Sequence, residues 1–83
     1  MKKYRKKPIV IEAVQWTGDN WDEIYHFTKG CLAYEYPASD SKLSIGTLEG
    51  RITASKNDWI IKGVASEFYP CKSDIFEATY EEV

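Results

Sequence analysis

The 83-residue sequence predicts one α+β domain, in which a short α-helix packs on a small, twisted antiparallel β-sheet with a roll-like meander. In the second half of the chain, short apolar runs alternate with turn-forming residues, as in an antiparallel meander. In the first half, one amphipathic segment carries helix signals at both ends. A chain of this length buries only about 60% of its surface, so we expect a single domain spanning residues 1–83.

The first element is a strand over residues 8–16, with the sequence PIVIEAVQW. Its apolar residues occupy both odd and even positions, which face opposite sides of a strand. This predicts a central strand that is covered on both faces. Pro8 suits the first position of a strand, where a missing N–H costs least.

The second element is a helix that begins after Asn20. Asn20 and Glu23 have the spacing of a capping box, in which two side chains satisfy free backbone amides. Gly30 provides a left-handed stop at the other end. An apolar-leaning stripe lies between them at helical spacing: Trp21, Ile24, Tyr25 and Thr28. Three turns do not stand alone, so we expect this helix to pack on the sheet.

The rest of the chain is predicted to be mostly extended. Residues 31–36 and 42–48 read as an antiparallel pair, joined by a polar loop. A single helical turn is expected at residues 73–76. The tail, residues 78–83, is expected to pair beside the first strand.

Three further runs, residues 52–54, 59–62 and 68–71, predict the meander itself. The turns between them contain residues that favour tight reversals, among them Asn57.

Charge is distributed unevenly along the chain. The net charge is −2, but five of the first seven residues are basic, whereas the remaining 76 contain six basic and thirteen acidic residues. A basic arm is typical of proteins that bind nucleic acids or anionic membranes. Glutamates near the other terminus (Glu77, Glu81 and Glu82) offer it partners within the chain, and an acidic body repels phosphate backbones. We therefore do not expect a nucleic-acid partner.

The cysteines and the hydropathy of the sequence indicate the cellular compartment. Cys31 and Cys71 lie forty residues apart without a CxxC partner, which favours free thiols in a reducing compartment. No apolar stretch follows Met1, and no run approaches the roughly 18 residues of a membrane helix. We expect a cytoplasmic protein without a membrane partner.

Catalytic motifs are weak. The single histidine, His26, falls on the helix face away from Trp21 and Tyr25, where a surface position is the common outcome. No serine lies in a nucleophile elbow, and neither the carboxylates nor the cysteines have metal-ligand spacing. We predict no catalytic residue, no metal and no cofactor.

The meander interleaves aromatic and basic residues, a combination that holds a planar ring against a charged group. Trp59 and Tyr69 are the predicted stacking surfaces, and Lys62 and Arg51 the predicted phosphate partners. Core packing of the same rings is the alternative. Should this site be wrong, a pocket between subunits is expected near Trp16, Thr17 and Tyr36.

Several stretches occur together in a fixed order: KKPIVIEAVQWTGDN, TLEG, DWIIKGV and EFYPCKSDIFEATY. In this the chain resembles a family of small phage and prophage proteins, common in tailed phages of Gram-positive hosts. The likeness covers nearly the whole chain and departs from the pattern at turns, where Asn57, Ser66 and Ser73 replace Gly, Gly and Pro. The family supplies no agreed catalytic residues.

The resemblance implies a phage accessory protein of the infected host cytoplasm that acts by binding. One expected function is to sequester a nucleotide-type host immune signal as an anti-defence sponge, by analogy with other small phage proteins. The alternative is a protein–protein module that engages a host or virion protein through the meander edge or the loop at residues 37–41. A thin core with surplus aromatic residues also predicts a homodimer or a higher homo-oligomer.

Overall fold

The computed structural model describes residues 1–5, 7–34, 42–47 and 50–83. The elements, in chain order, are β1 (Glu12–Gln15), α1 (Trp21–Phe27), β2 (Leu32–Tyr34), β3 (Leu43–Thr47), β4 (Gly50–Ala54), β5 (Trp59–Lys62), β6 (Phe68–Cys71) and α2 (Ser73–Thr79). The predicted α+β class is confirmed.

The described strands form two antiparallel sheets. The first sheet has the order β1-β5-β6, and the second has the order β2-β3-β4. Strand β6 of the first sheet packs against β3 and β4 of the second. The predicted pairing of residues 31–36 with residues 42–48 is confirmed in the described part of that region, where Leu32 lies opposite Ile45.

The predicted meander through β4, β5 and β6 is wrong, because β4 belongs to the second sheet. The cause is the turn at residues 55–58. Its backbone pairs with Trp16 just beyond β1: the Asn57 N–H donates to the Trp16 carbonyl at 2.6 Å, and the Trp16 N–H donates to the Asp58 carbonyl at 2.9 Å. The strand that follows therefore pairs with β1 and not with β4.

The first strand is an edge strand, not the predicted central one. Among the described strands it pairs only with β5, and this pairing begins at Glu12. Ile9 and Val10, which the sequence places in the strand, precede it and are 52% and 76% exposed. Continuous apolar character therefore overstated both the length and the burial of this strand.

Helix α1 lies where the sequence predicts it. Ile24 is fully buried, and the Phe27 ring packs edge-on against Phe68 of β6 at 5.5 Å. Gly30 has the expected positive φ of 86°.

The predicted capping box takes a different form in the structure. The Asn20 side chain caps no helix amide; its Nδ2 donates to the Gln15 carbonyl and to Glu23, and its Oδ1 accepts from the Thr17 N–H. Asn20 thus ties the end of β1 to the start of α1.

The main core lies between α1 and the two sheets. Its buried residues are Trp16, Ile24, Leu32, Leu43, Ile45, Ala54, Ile60 and Phe68. Thr28 is also fully buried, and its hydroxyl donates to the Ile24 carbonyl at 2.9 Å. This core draws on α1 and on both sheets, so it joins them into one unit.

The C-terminal region departs from the prediction. Residues 73–79 form a two-turn helix, not a single turn, and residues 80–83 follow it without joining a sheet. Within the described residues, no helix has the length and apolar character needed to cross a membrane.

Candidate binding groove

The first sheet has two faces with different partners. Residues directly opposite each other in an antiparallel pair share a face. Ile61 lies opposite both Ala13 and Tyr69, and its neighbour Trp59 lies two residues away on the same face. Ile61 is 1% exposed but lies outside the main core cluster, so this outer face is covered separately.

Helix α2 provides the cover. The Phe76 ring stacks on Trp59 with a centroid distance of 4.3 Å and an interplanar angle of 9°. Tyr80 follows one helical turn later, with its ring 5.0 Å from Phe76. The three rings form a continuous aromatic ladder from the sheet to the end of α2.

Tyr69 joins this layer through its hydroxyl. Burial raises the pKa of Tyr69 above its ordinary value, and Tyr80, whose hydroxyl shares a hydrogen bond with it, raises the pKa further. The hydrogen bond between the two phenols links the residue after α2 to β6.

An open groove of about 630 Å³ runs beside the ladder. One wall is the segment that leads into β1, and the other is the end of α2 with the tail. The groove is lined by Pro8, Ile9, Val10, Ile11, Glu12, Ala13, Trp59, Phe76, Thr79, Tyr80, Glu81, Glu82 and Val83. Two of the lining residues, Glu12 and Ala13, belong to β1, which among the described strands pairs only with β5.

Two chemical features distinguish the groove. The charged residues that line it are Glu12, Glu81 and Glu82. Glu12 lies directly opposite Lys62 in the β1–β5 pair, on the face away from Trp59, so Glu81 and Glu82 supply the acidic rim. Within the described residues, the indole N–H of Trp59 is buried without a hydrogen-bond partner. An apolar aromatic floor with an acidic rim suits a ligand that brings both apolar groups and positive charge.

The predicted ligand residues are not all brought together. Trp59 lies in the groove, and Tyr69 lies beside it through Tyr80. Lys62 lies opposite Glu12 and lines an adjoining hollow of about 170 Å³, which shares Val10, Ile11 and Glu12 with the groove but does not contain Trp59. Arg51 lies on β4 in the second sheet, where its Nε donates to the Ser44 hydroxyl at 2.6 Å and a terminal nitrogen to the Ser44 carbonyl at 2.8 Å.

The second predicted set is also dispersed. Trp16 is 1% exposed within the main core, so its ring offers no stacking surface. Thr17 is exposed in the loop before α1, and its hydroxyl donates to Asp19 and Asn20. Tyr36 lies outside the described residues.

The sequence reasoning missed Phe76, Tyr80 and the wall at residues 8–13. The spacing of Phe76 and Tyr80 at i and i+4 is a signal for a shared helix face, which the prediction of a single turn left unused. Residues 8–13 were assigned to a buried strand, which removed them from consideration as a binding surface.

Within the described residues, no group of three or more His, Cys, Asp or Glu side chains comes together as a metal site. No family model, curated protein or solved structure matches this chain.

Proposed function

We propose that this protein is a binding module, and that its groove takes an extended, Lys- or Arg-rich segment of a partner protein. The observation that carries this proposal is the charge of the groove: its floor is apolar and aromatic, and all its charged lining residues are glutamates. Carboxylates attract basic side chains and repel phosphates, so the groove favours a cationic ligand.

The backbone supports an extended ligand. An edge strand presents unpaired N–H and C=O groups on its free side, and an added strand can pair with them. Here the free edge of β1 forms part of the groove wall, with Ile9 and Val10 exposed next to it. Backbone pairing would supply affinity, and the glutamates would select basic side chains.

Sequestration of a nucleotide-type signal is the second candidate. The observation in its favour is Trp59, whose ring stacks in parallel on Phe76 and whose indole N–H is unpaired. A stacked base contributes about 1–3 kcal/mol. The phosphates, however, lack cations in the groove, because Lys62 and Arg51 lie elsewhere. The protein-binding proposal therefore comes first.

For the phage proteins that this chain resembles, such a module would engage a host or virion protein, and anti-defence activity would follow from occupying that protein. Binding, with no chemical step, accounts for every feature of the groove described above.

The test is a titration of the chain with a labelled peptide that alternates Lys with Val, and with a matched peptide that carries Glu in place of Lys. The basic peptide is expected to bind, and the double variant Glu81→Gln/Glu82→Gln to bind it about tenfold more weakly. The matched control is Asp22→Asn/Glu77→Gln, which removes the same charge from exposed positions outside the groove lining.

Equal binding by the groove and control variants, or equal binding of the two peptides, would contradict the proposal. A thermal-shift screen with cyclic and ADP-ribose-like nucleotides tests the second candidate, since a ligand of the folded state raises Tm. A nucleotide that raises Tm of the native chain, but not that of Trp59→Ala, would favour sequestration.

A further inference from the structure

The chain itself contains a segment of the chemistry that the groove fits. Residues 1–7, here called the arm, carry five basic side chains and one aromatic residue, Tyr4. The described arm residues are exposed, Tyr4 at 91%. The arm is therefore a basic, apolar-containing segment next to an acidic, aromatic groove.

The arm does not lie in its own groove. Pro8, the first residue after the arm, begins the groove wall, and the Ile9 N–H donates to the Lys7 carbonyl at 2.9 Å in a three-residue turn. None of the described arm residues lines the groove. The chain thus turns at Pro8, between the arm and the groove wall that follows it.

The arm has the length that the groove requires. Six extended residues span about 20 Å. Residues 2–7 of a second copy thus match the six wall residues, 8–13, one for one. Two of these wall residues, Glu12 and Ala13, belong to β1, whose other edge has no partner among the described strands and can accept an added strand.

We propose that two copies of this chain exchange arms, so that the arm of each copy fills the groove of the other. A two-fold axis makes both contacts equivalent and leaves neither groove empty. Each groove then receives basic side chains against Glu81 and Glu82. This inference rests on the proposed function, because it names a second copy as an occupant of the same groove.

The test uses two full-length variants with opposite changes. The arm-reversed chain carries Lys2→Glu, Lys3→Glu and Arg5→Glu. The groove-reversed chain carries Glu81→Lys and Glu82→Lys. All five residues are exposed, so both chains are expected to fold, which circular dichroism checks. Light scattering at tens of micromolar then reports the mass in solution.

The native chain is expected at twice its mass of 9.6 kDa, and each variant alone at the monomer mass. An equal mixture of the two variants is expected to form a heterodimer, because each arm then meets a groove of opposite charge. High salt is expected to weaken both dimers.

Three results would overturn arm exchange. A monomeric native chain would exclude it. Variants that stay dimeric would indicate another interface, such as direct pairing of two β1 edges. Monomeric variants that do not associate when mixed would show that the arm of one copy does not meet the groove of the other.

The outcome for the proposed function is read separately. The Lys-Val peptide is titrated into a full-length chain whose five basic arm residues are changed to Gln. Peptide binding by that chain together with a monomeric native protein would refute arm exchange alone. Loss of peptide binding would refute the proposed function, whatever the mass of the native protein.

Discussion

The two faces of the first sheet differ in what covers them. The inner face contributes Ile60 and Phe68, which are 0% and 6% exposed and contact a core shared by both sheets and α1. The outer face carries Ile61, which is 1% exposed, together with Trp59 and Tyr69, which are only half-buried under the seven-residue helix α2. The inner face is therefore closed, whereas the outer face stays partly open at the candidate groove.

The largest expected effect lies on the inner face. Ile60→Ala should lower the free energy of unfolding by about 2–5 kcal/mol, because it leaves a cavity in a closed core. Chemical denaturation measures this loss. Val64→Ala is the control: Val64 is 74% exposed, and its truncation should change stability by about 0.5 kcal/mol or less.

A smaller loss is expected on the outer face. Phe76→Ala removes the ring that stacks on Trp59, and should cost about 1–3 kcal/mol while also abolishing binding of the basic peptide. The same denaturation experiment and the peptide titration measure the two effects. A cost equal to that of Ile60→Ala would mean that α2 belongs to the core, and the contrast between the faces would fail.

In two turns, a substitution by glycine is expected to increase stability. Ser66 in the β5–β6 turn has a φ of 63°, and Asn57 in the β4–β5 turn has a φ of 76°. A left-handed conformation costs an L-residue roughly 1–2 kcal/mol, and a change to glycine removes this cost. Glycine also gives the unfolded chain more conformational freedom, which lowers stability by about 0.5–1 kcal/mol and offsets part of the gain.

Ser66→Gly should therefore raise the free energy of unfolding by up to about 1 kcal/mol. Asn57→Gly should raise it less, because Asn tolerates positive φ. Thermal unfolding compares the two, and a destabilised Ser66→Gly chain would show that the serine side chain stabilises the turn.

The smallest effect concerns pH. Burial and Tyr80 hold the pKa of Tyr69 above its ordinary value, so the folded chain retains this proton more tightly than the unfolded chain does. The corresponding stability is complete below the ordinary tyrosine pKa of about 10 and is lost as the pH rises through the folded pKa. Unfolding measured from about pH 9 upwards should thus be less pH-dependent in Tyr69→Phe. An identical alkaline slope would show that the phenol pair contributes nothing.

Local signals predicted the elements better than their assembly. Gly30 and the stripe through Ile24 located α1, and β-branched and aromatic runs located most strands. The division into two sheets depends on hydrogen bonds between Trp16 and the turn at Asn57, which are forty-one residues apart in the sequence. No local pattern encodes such a contact.

The candidate site was predicted only in part for the same reason. Trp59 was identified from its aromatic character, but its partner Phe76 comes from an element that was predicted too short. Arg51 and Lys62 are close in sequence to Trp59, yet the split between β4 and β5 places Arg51 in the other sheet. Proximity along the chain was a poor guide to proximity in the groove.

The most direct test of the central claim follows the indole N–H signals of the three tryptophans by NMR during titration with the Lys-Val peptide. The Trp59 signal should move, because this residue lines the groove, and the amides of residues 9–13 and 79–83 should move with it. The Trp16 signal, from the closed core, should stay in place. Shifts at Trp16 or across the second sheet, with Trp59 unmoved, would contradict the assignment of binding to the outer face.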